Sequence, residues 1–440
     1  MKKTFKGGAH PPENKEYSNS KPIEDLPLPD RVVIPLIQHL GAPSKPVVSI
    51  GDEVKTGDPV SEATGFVSVP SHSSISGKVI SIGAFPHPFG KDIQSVVIES
   101  DGEDRWNEKI KFDEKYMDIP VKEMIEKIQN AGLAGMGGAA FPTHVKLSPP
   151  PPKKIEIAIL NGAECEPYLT SDHRLMLEKT EDIIKGFKLI MKILDAKYGY
   201  IGIENNKPDA IDKMRSITSN EKNIEVVGLN VKYPQGAEKQ LIKALTNREV
   251  PSGGLPMDVQ CLVQNVGTAL AVYEALAYNK PLVERVVTVT GSGIKEPKNL
   301  RVRIGTLFKN LVDYCGGYTV EKGKLIMGGP MMGLAQYTDL IPVIKGSSGF
   351  VVMTEEESFL EEPKPCILCG RCVDTCPMKL LPCTLGTLVE YSKFEMLGEY
   401  NILDCIECGS CAFVCPSKRN LVHLIKYGKL KYNEIRKKSA

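Results

Sequence analysis

The 440-residue chain reads as a multidomain protein of mixed α/β and α+β class, and three observations carry that reading. Its length exceeds what one hydrophobic core supports, since domains mostly run to about 100–150 residues. Its hydrophobic pattern passes from glycine-punctuated alternation to alternating helices and strands, and then back to short strands. Its C-terminal part carries a doubled cysteine pattern: Cys366, Cys369, Cys372 and Cys376 before Pro377, then Cys405, Cys408, Cys411 and Cys415 before Pro416. The expected units are an extended arm over 1–30, a compact β module over 31–115, an α/β domain over 116–280, a smaller α+β domain over 281–353, and a cysteine-rich helical segment with a basic tail over 354–440.

The arm is rich in Lys, Pro and Gly with little periodicity. From Val47 to Val60 and from Ser76 to Gly83, short alternating runs are broken by glycine turns, the pattern of compact antiparallel sheet. These runs resemble the barrel-sandwich fold of lipoyl and biotinyl carrier domains. Such domains present a modified Lys at a hairpin tip. The corresponding stretch here, Val69-Pro70-Ser71-His72-Ser73-Ser74, has no Lys, so a structural or docking role is expected.

In the next unit, Met124, Ile125 and Ile128 give Val121 to Asn130 a helical spacing. A loop follows with Gly132, Gly135, Gly137 and Gly138, then a strand over Ile155 to Leu160 and the polar turn Asn161-Gly162-Ala163-Glu164-Cys165-Glu166-Pro167-Tyr168. A glycine loop before a strand and a polar turn at its end make a nucleotide crevice in an α/β sheet. A strand at Ile224 to Val227 and helices around Glu238 to Ala244 and Thr268 to Ala277 fit that class. The loop is not the dinucleotide fingerprint, because position 140 is Ala and the loop follows a helix; nor does it end in the Lys-Ser or Lys-Thr of a phosphate loop. Residues without Cβ still let N–H groups close around an anion, with Lys146 close behind, while a tight turn against a neighbouring helix is the plain alternative. Arg285 to Gly291 then reads as a strand and Ile304 to Cys315 as a helix stopped by Gly316-Gly317, an order that suits a small β-grasp-like domain. After a strand at Phe350 to Met353, Glu355, Glu356, Glu357, Glu361 and Glu362 form an acidic approach to the cysteines.

The doubled cysteine spacing suits two [4Fe-4S] clusters, since three thiolates at intervals of three wrap one face of a cube and a distant fourth closes it. In two-cluster ferredoxins the fourth Cys of each run serves the other cluster. That rule assigns Cys366, Cys369, Cys372 and Cys415 to one cube and Cys405, Cys408, Cys411 and Cys376 to the second. Structural zinc or disulfides are the competing uses of short cysteine spacings. The start of the chain, Met1-Lys2-Lys3-Thr4-Phe5-Lys6-Gly7-Gly8, carries no apolar signal segment, so a reducing cytoplasmic setting is expected. Cys261, Cys315 and Cys383 are read as packing residues, and Cys165 lies in the more suggestive polar turn. With Lys+Arg 55 against Asp+Glu 54, the formal net charge is +1, which argues against nucleic acid as a partner. No apolar stretch approaches the roughly 20 residues of a membrane span.

The glycine loop, the Asn161 to Pro167 turn, Tyr233-Pro234-Gln235-Gly236-Ala237-Glu238 and Gln264-Asn265-Val266-Gly267-Thr268 resemble the flavin-binding subunit of respiratory complex I. The resemblance implies FMN, with NADH admitted over its ring. Gly135, Gly137, Gly138 and Lys146 would hold the phosphate side, and Asn161, Glu164 and Asn265 would contact the ribityl chain or ring. Gly236 and Glu238 would line the nicotinamide approach, Glu238 being the one candidate catalytic residue. Ala237 and Met136 depart from that family, which has an acidic residue at the first position and commonly Arg at the second. The whole order of units, with the start Phe5-Lys6-Gly7-Gly8-Ala9-His10-Pro11-Pro12, resembles the C subunit of the Rnf complex. That implies a peripheral subunit on the cytoplasmic side of a membrane, held by integral-membrane and peripheral partners. It would pass electrons between NAD(H), FMN and two clusters, with ferredoxin reached through the complex, while cation pumping belongs to the membrane partners. A flavin suits this task because hydride delivers two electrons and each cluster accepts one. A cobalamin reductase of the propanediol-utilisation type shares the module order, and a flavin-free electron wire is a third reading. The tail after Pro416, with Lys418, Arg419, Lys426, Lys429, Lys431, Arg436, Lys437 and Lys438, is read as an aid to docking at anionic lipid or an acidic partner, or else as a solubilising surface.

Overall fold

The computed structural model describes residues 3–319, 322–358 and 361–439. In the N-terminal module, Arg31–Pro35, Lys91–Ser100, Gly77–His87 and Glu53–Val54 pair antiparallel in that order, and Lys45–Pro46 pairs with Ser61–Glu62. Inward residues such as Val32, Ile34, Val79, Val96 and Ile98 close its core. The hairpin tip that lacks a Lys is a wedge: every residue from Ser68 to Gly77 is buried. Pro70 O accepts from Lys345 Nζ at 2.6 Å, and Ser74 Oγ donates to Ile304 O at 2.5 Å. The tip therefore serves packing against the rest of the chain.

The α/β domain is built on a four-stranded parallel sheet in the order Ile224–Leu229, Tyr198–Glu204, Ile157–Gly162, Cys261–Asn265. Period-2 alternation sends Ala158 and Leu160 to one face, where Thr180–Leu194 and Val266–Tyr278 pack, and Ile157 and Ile159 to the other, under Glu238–Thr246. Both faces are covered, as a parallel sheet requires.

A six-stranded sheet follows, in the order Ile23–Asp25, Lys298–Arg303, Glu284–Thr290, Gly349–Thr354, Lys322–Met327, Leu334–Gln336. Its first strand comes from the N-terminal arm, pairing parallel with Lys298–Arg303. The arm is thus extended but laced into the body: Ala9 exchanges backbone hydrogen bonds with Tyr233, and Gly8 N donates to Thr375 O at 2.7 Å. The helix expected over Ile304 to Cys315 covers only Phe308–Tyr314. Ile304 N bonds Val283 O, and Gly305 takes a φ of +95° with its N–H on Val343 O, so the chain is still turning there.

The C-terminal segment repeats its backbone with its cysteines. Positive φ recurs at Leu368, Gly370 and Lys379, and again at Glu407, Gly409 and Lys418. Gly370 and Gly409 each precede a short helix, Arg371–Thr375 and Ser410–Phe413. Longer helices, Pro382–Glu390 and Leu421–Ser439, begin at matching places and pack on one another. The basic tail is accordingly a helix seated on this segment, not a free extension. Among the described residues no helix is long and apolar enough to cross a membrane.

Candidate functional site

Strand order in the parallel sheet reverses beside Ile157–Gly162, whose two neighbours are Tyr198–Glu204 and Cys261–Asn265, and Asn161 and Asn265 lie opposite each other in register at the carboxyl ends. A crevice at such a switch point is where open α/β sheets take ligands. Asn265 caps the helix Val266–Tyr278, its Oδ1 accepting from Gly267 N at 2.8 Å, while its Nδ2 donates to Asp172 Oδ2 at 2.7 Å. Asn161 Nδ2 donates to Gly236 O at 2.8 Å, and Ala163 N donates to Asn161 Oδ1 at 3.2 Å. The two asparagines thus hold the turn, the Gly236 segment and the helix start around one opening.

The glycine loop lies against the same opening. Gly135 N donates to Phe141 O and Met136 N to Thr268 Oγ1, which fix its two sides. A Cβ on Gly137 would lie 3.2 Å from Asn265 Cβ, whereas Gly138, at φ +129°, has open space where a Cβ would be. Gly137 is thus held close to Asn265, and Gly138 takes a backbone conformation that favours glycine. Lys146, expected on the phosphate side, is ion-paired to Glu238 at 2.6 Å, which ties together two residues expected to have separate tasks. Glu164, expected at the ribityl chain or ring, has partners within the chain. Its Oε1 accepts from Asp172 N at 2.7 Å and its Oε2 from His173 N at 3.2 Å, so both oxygens serve the N-terminus of the helix Ser171–Glu178.

Several groups here carry no local sequence signal. Buried Lys15 reaches from the arm to donate to the carbonyls of Glu164 (2.9 Å), Glu166 (3.0 Å) and Leu169 (2.6 Å), clamping the turn. Burial lowers its pKa, aided by Lys207. Asp172 is pushed up to about 7, by burial first and then by Glu164. Glu166 is likewise pushed up to about 7 by burial, although Met331 N and Met332 N donate to it at 3.2 and 2.8 Å. Burial raises the Cys165 thiol, which accepts from Gly236 N at 3.2 Å.

The eight motif cysteines fall into two groups. Cys366, Cys369, Cys372 and Cys415 line one open cavity, together with Cys383 and Arg419. Cys383, read as a packing residue, therefore borders this group. In the second group, Cys405, Cys408 and Cys376 all act electrostatically on Cys411. Burial pushes the Cys372 and Cys405 thiols up to about 11, so as thiolates they need a cation to sit against. A cube of iron would supply one. The second group faces the crevice: Tyr233 OH donates to Cys408 O at 2.7 Å and Gln240 Nε2 to Pro377 O at 3.2 Å. Lys429 donates to Cys405 O and pairs with Glu407 at 2.8 Å, so one tail cation is engaged beside this group. Cys366 and Cys369 are exposed.

A nucleotide-type crevice joined to a duplicated four-cysteine segment defines an electron-transfer flavoprotein of the iron–sulfur kind. Comparison with known proteins agrees unit by unit. The RnfC barrel sandwich hybrid domain matches residues 3–103, the Nuo51 FMN-binding domain 128–274, the SLBB domain 286–335 and a 4Fe-4S dicluster domain 365–419. The chain is similar to the C subunit of the proton-translocating ferredoxin:NAD(+) oxidoreductase complex of Clostridium ljungdahlii, 53% identical over 97% of this chain and 93% of that protein. The Na(+)-translocating counterpart from Acetobacterium woodii is 48% identical over 97% of this chain and 96% of that protein. The C subunit of the ion-translocating oxidoreductase complex of Rhodobacter capsulatus is 39% identical over 98% of this chain and 83% of that protein. The chain belongs to this family, the RnfC proteins of the ion-translocating oxidoreductase complexes.

Proposed function

We propose that this chain is the subunit through which a cation-translocating ferredoxin:NAD⁺ oxidoreductase exchanges electrons with NAD(H), using FMN and two [4Fe-4S] clusters, and that it sits peripherally on the cytoplasmic side of the membrane. The observation that carries the reading is the hydrogen-bonded junction between the Asn161–Asn265 crevice and the Cys376, Cys405, Cys408 and Cys411 group. Family membership over nearly the whole chain weighs against a corrinoid reductase, and the FMN-binding match weighs against a flavin-free wire.

FMN, when bound, converts two-electron hydride chemistry into one-electron steps. The chain's own residues do the rest. Gly137 and Gly138 let a phosphate approach the backbone, with Gly135 fixing the side of the loop through Phe141, and the Asn161 and Asn265 amides orient what lies between the strand ends. Glu238, held by Lys146, lines the nicotinamide approach with Gly236 and positions the incoming ring without taking a proton. The Cys366, Cys369, Cys372 and Cys415 group, with two exposed cysteines, faces the partner side. The decisive test is copurification: the tagged chain should bring down integral-membrane subunits from detergent-solubilised membranes. Recovery of the chain with a corrinoid protein and no membrane subunit would overturn the reading.

A further inference from the structure

We propose that Tyr233 and Gln240 are positioning residues that bridge the crevice to the Cys376, Cys405, Cys408 and Cys411 group and set how readily its cluster accepts an electron. This rests on the assignment of those four cysteines to one cube. Tyr233 is fully buried, and its hydroxyl donates to Cys408 O at 2.7 Å, with Glu166 Oε1 a longer second acceptor at 3.4 Å. Gln240 donates to the carbonyl of Pro377, the residue after Cys376, at 3.2 Å. Cys376 and Cys408 come from different cysteine runs, yet the interleaved assignment gives them the same cube, so both contacts converge on one centre. Among the described residues no comparable side-chain hydrogen bond from the α/β domain reaches the Cys366, Cys369, Cys372 and Cys415 group.

The bridge is short and stiff. Its middle residue Gly236 bonds Asn161 through its carbonyl and Cys165 through its N–H. Tyr233 is fastened to Ala9 by a pair of backbone bonds, Gln235 N bonds Lys232 O, and Gln240 lies in the first turn of the helix that opens at Glu238. Glu166, which accepts from Met331 N and Met332 N, also lies 3.4 Å from the Tyr233 hydroxyl as its longer acceptor.

Cluster potentials respond to hydrogen bonding and burial around the ligands. A carbonyl oxygen that accepts a hydrogen bond presents less negative charge to its surroundings; stripped of its donor and still buried, it opposes added negative charge. A cube held by Cys376, Cys405, Cys408 and Cys411 would accept one electron at a time from reduced flavin, the flavin's proton going to water, and no bond would form or break at Tyr233 or Gln240. Removing either donor should therefore make that one cluster harder to reduce.

The test is a redox titration of the anaerobically purified full chain, followed by electron paramagnetic resonance, comparing wild type with Tyr233→Phe and Gln240→Leu. One cluster potential should fall in each variant, on the order of tenfold in the one-electron equilibrium or about 59 mV, with the other potential, the iron content and the FMN content unchanged. Unchanged potentials in both variants, or equal shifts of both clusters, would overturn the inference. Should Tyr233→Phe lose iron, Gln240→Leu decides by the same readout. A wild-type chain without two such centres would instead break the cluster assignment itself.

Discussion

Gly137 and Glu166 show how single residues set the site. A Cβ at Gly137 would press within 3.2 Å of Asn265, and a larger side chain would push that amide from the helix start it caps. Gly137→Val should therefore lose FMN while the iron content stays at the wild-type level, as read by flavin absorbance and iron assay. Glu166 offers a pH signature. Its carboxyl rises from 4.5 to about 7 on folding because burial disfavours its charge. Between those values the folded chain holds a proton that the unfolded chain has released, so this group's contribution to stability falls as pH rises through the window, by about 3 kcal/mol in all. Glu166→Gln should flatten that dependence. Thermal midpoints at pH 5 and pH 7.5 give the comparison, and an equal drop in variant and wild type would contradict it. Neither Glu166 nor Lys15 was legible as a site residue, because their partners lie far off in sequence: Lys15 acts on carbonyls near residue 165, and Glu166 on amides at 331 and 332. Asn161 was singled out because it follows the strand read over Ile155 to Leu160, whereas Gly236 and Asn265 were named through the family resemblance alone. For Glu164 and Lys146 the position was legible and the partner was not.

At the scale of elements, the duplicated cysteine segment makes a paired prediction. If Cys376 belongs with Cys405, replacing either by Ser should damage the same paramagnetic centre, while Cys366→Ser and Cys415→Ser should damage the other. Damage to one centre by all four variants would refute the interleaving. The helix Leu421–Ser439 changes what is expected of the tail. Gly428 packs against Val389 and Leu397, and Lys429 is bonded at Cys405, so removing residues 426–440 should lower iron per chain as well as any docking. An iron assay on the truncated chain checks this. Charge alone suggested a solvated tail because the helix's seating depends on Pro382–Glu390, which precedes it by some thirty residues. Helices and strands with strong periodicity, such as Val121–Asn130 and Glu284–Thr290, matched the sequence reading closely, whereas Ile304 to Leu307 did not become helical because Gly305 turns there.

Across the whole molecule the order of units was readable, since each carries its own pattern, but their joining was not. The arm supplies a strand to the six-stranded sheet, a bridge to Tyr233 and a contact with Thr375, while the barrel-sandwich tip meets Lys345 and Ile304. These contacts couple units whose separate identities say nothing of their arrangement. The central claim is that one chain holds both kinds of cofactor. The direct measurement is the cofactor content of the wild-type chain after strictly anaerobic expression and purification. The account predicts about eight irons and eight acid-labile sulfides per chain, as two cubes require, together with one FMN. Zinc in place of iron, or no FMN after reconstitution, would contradict it.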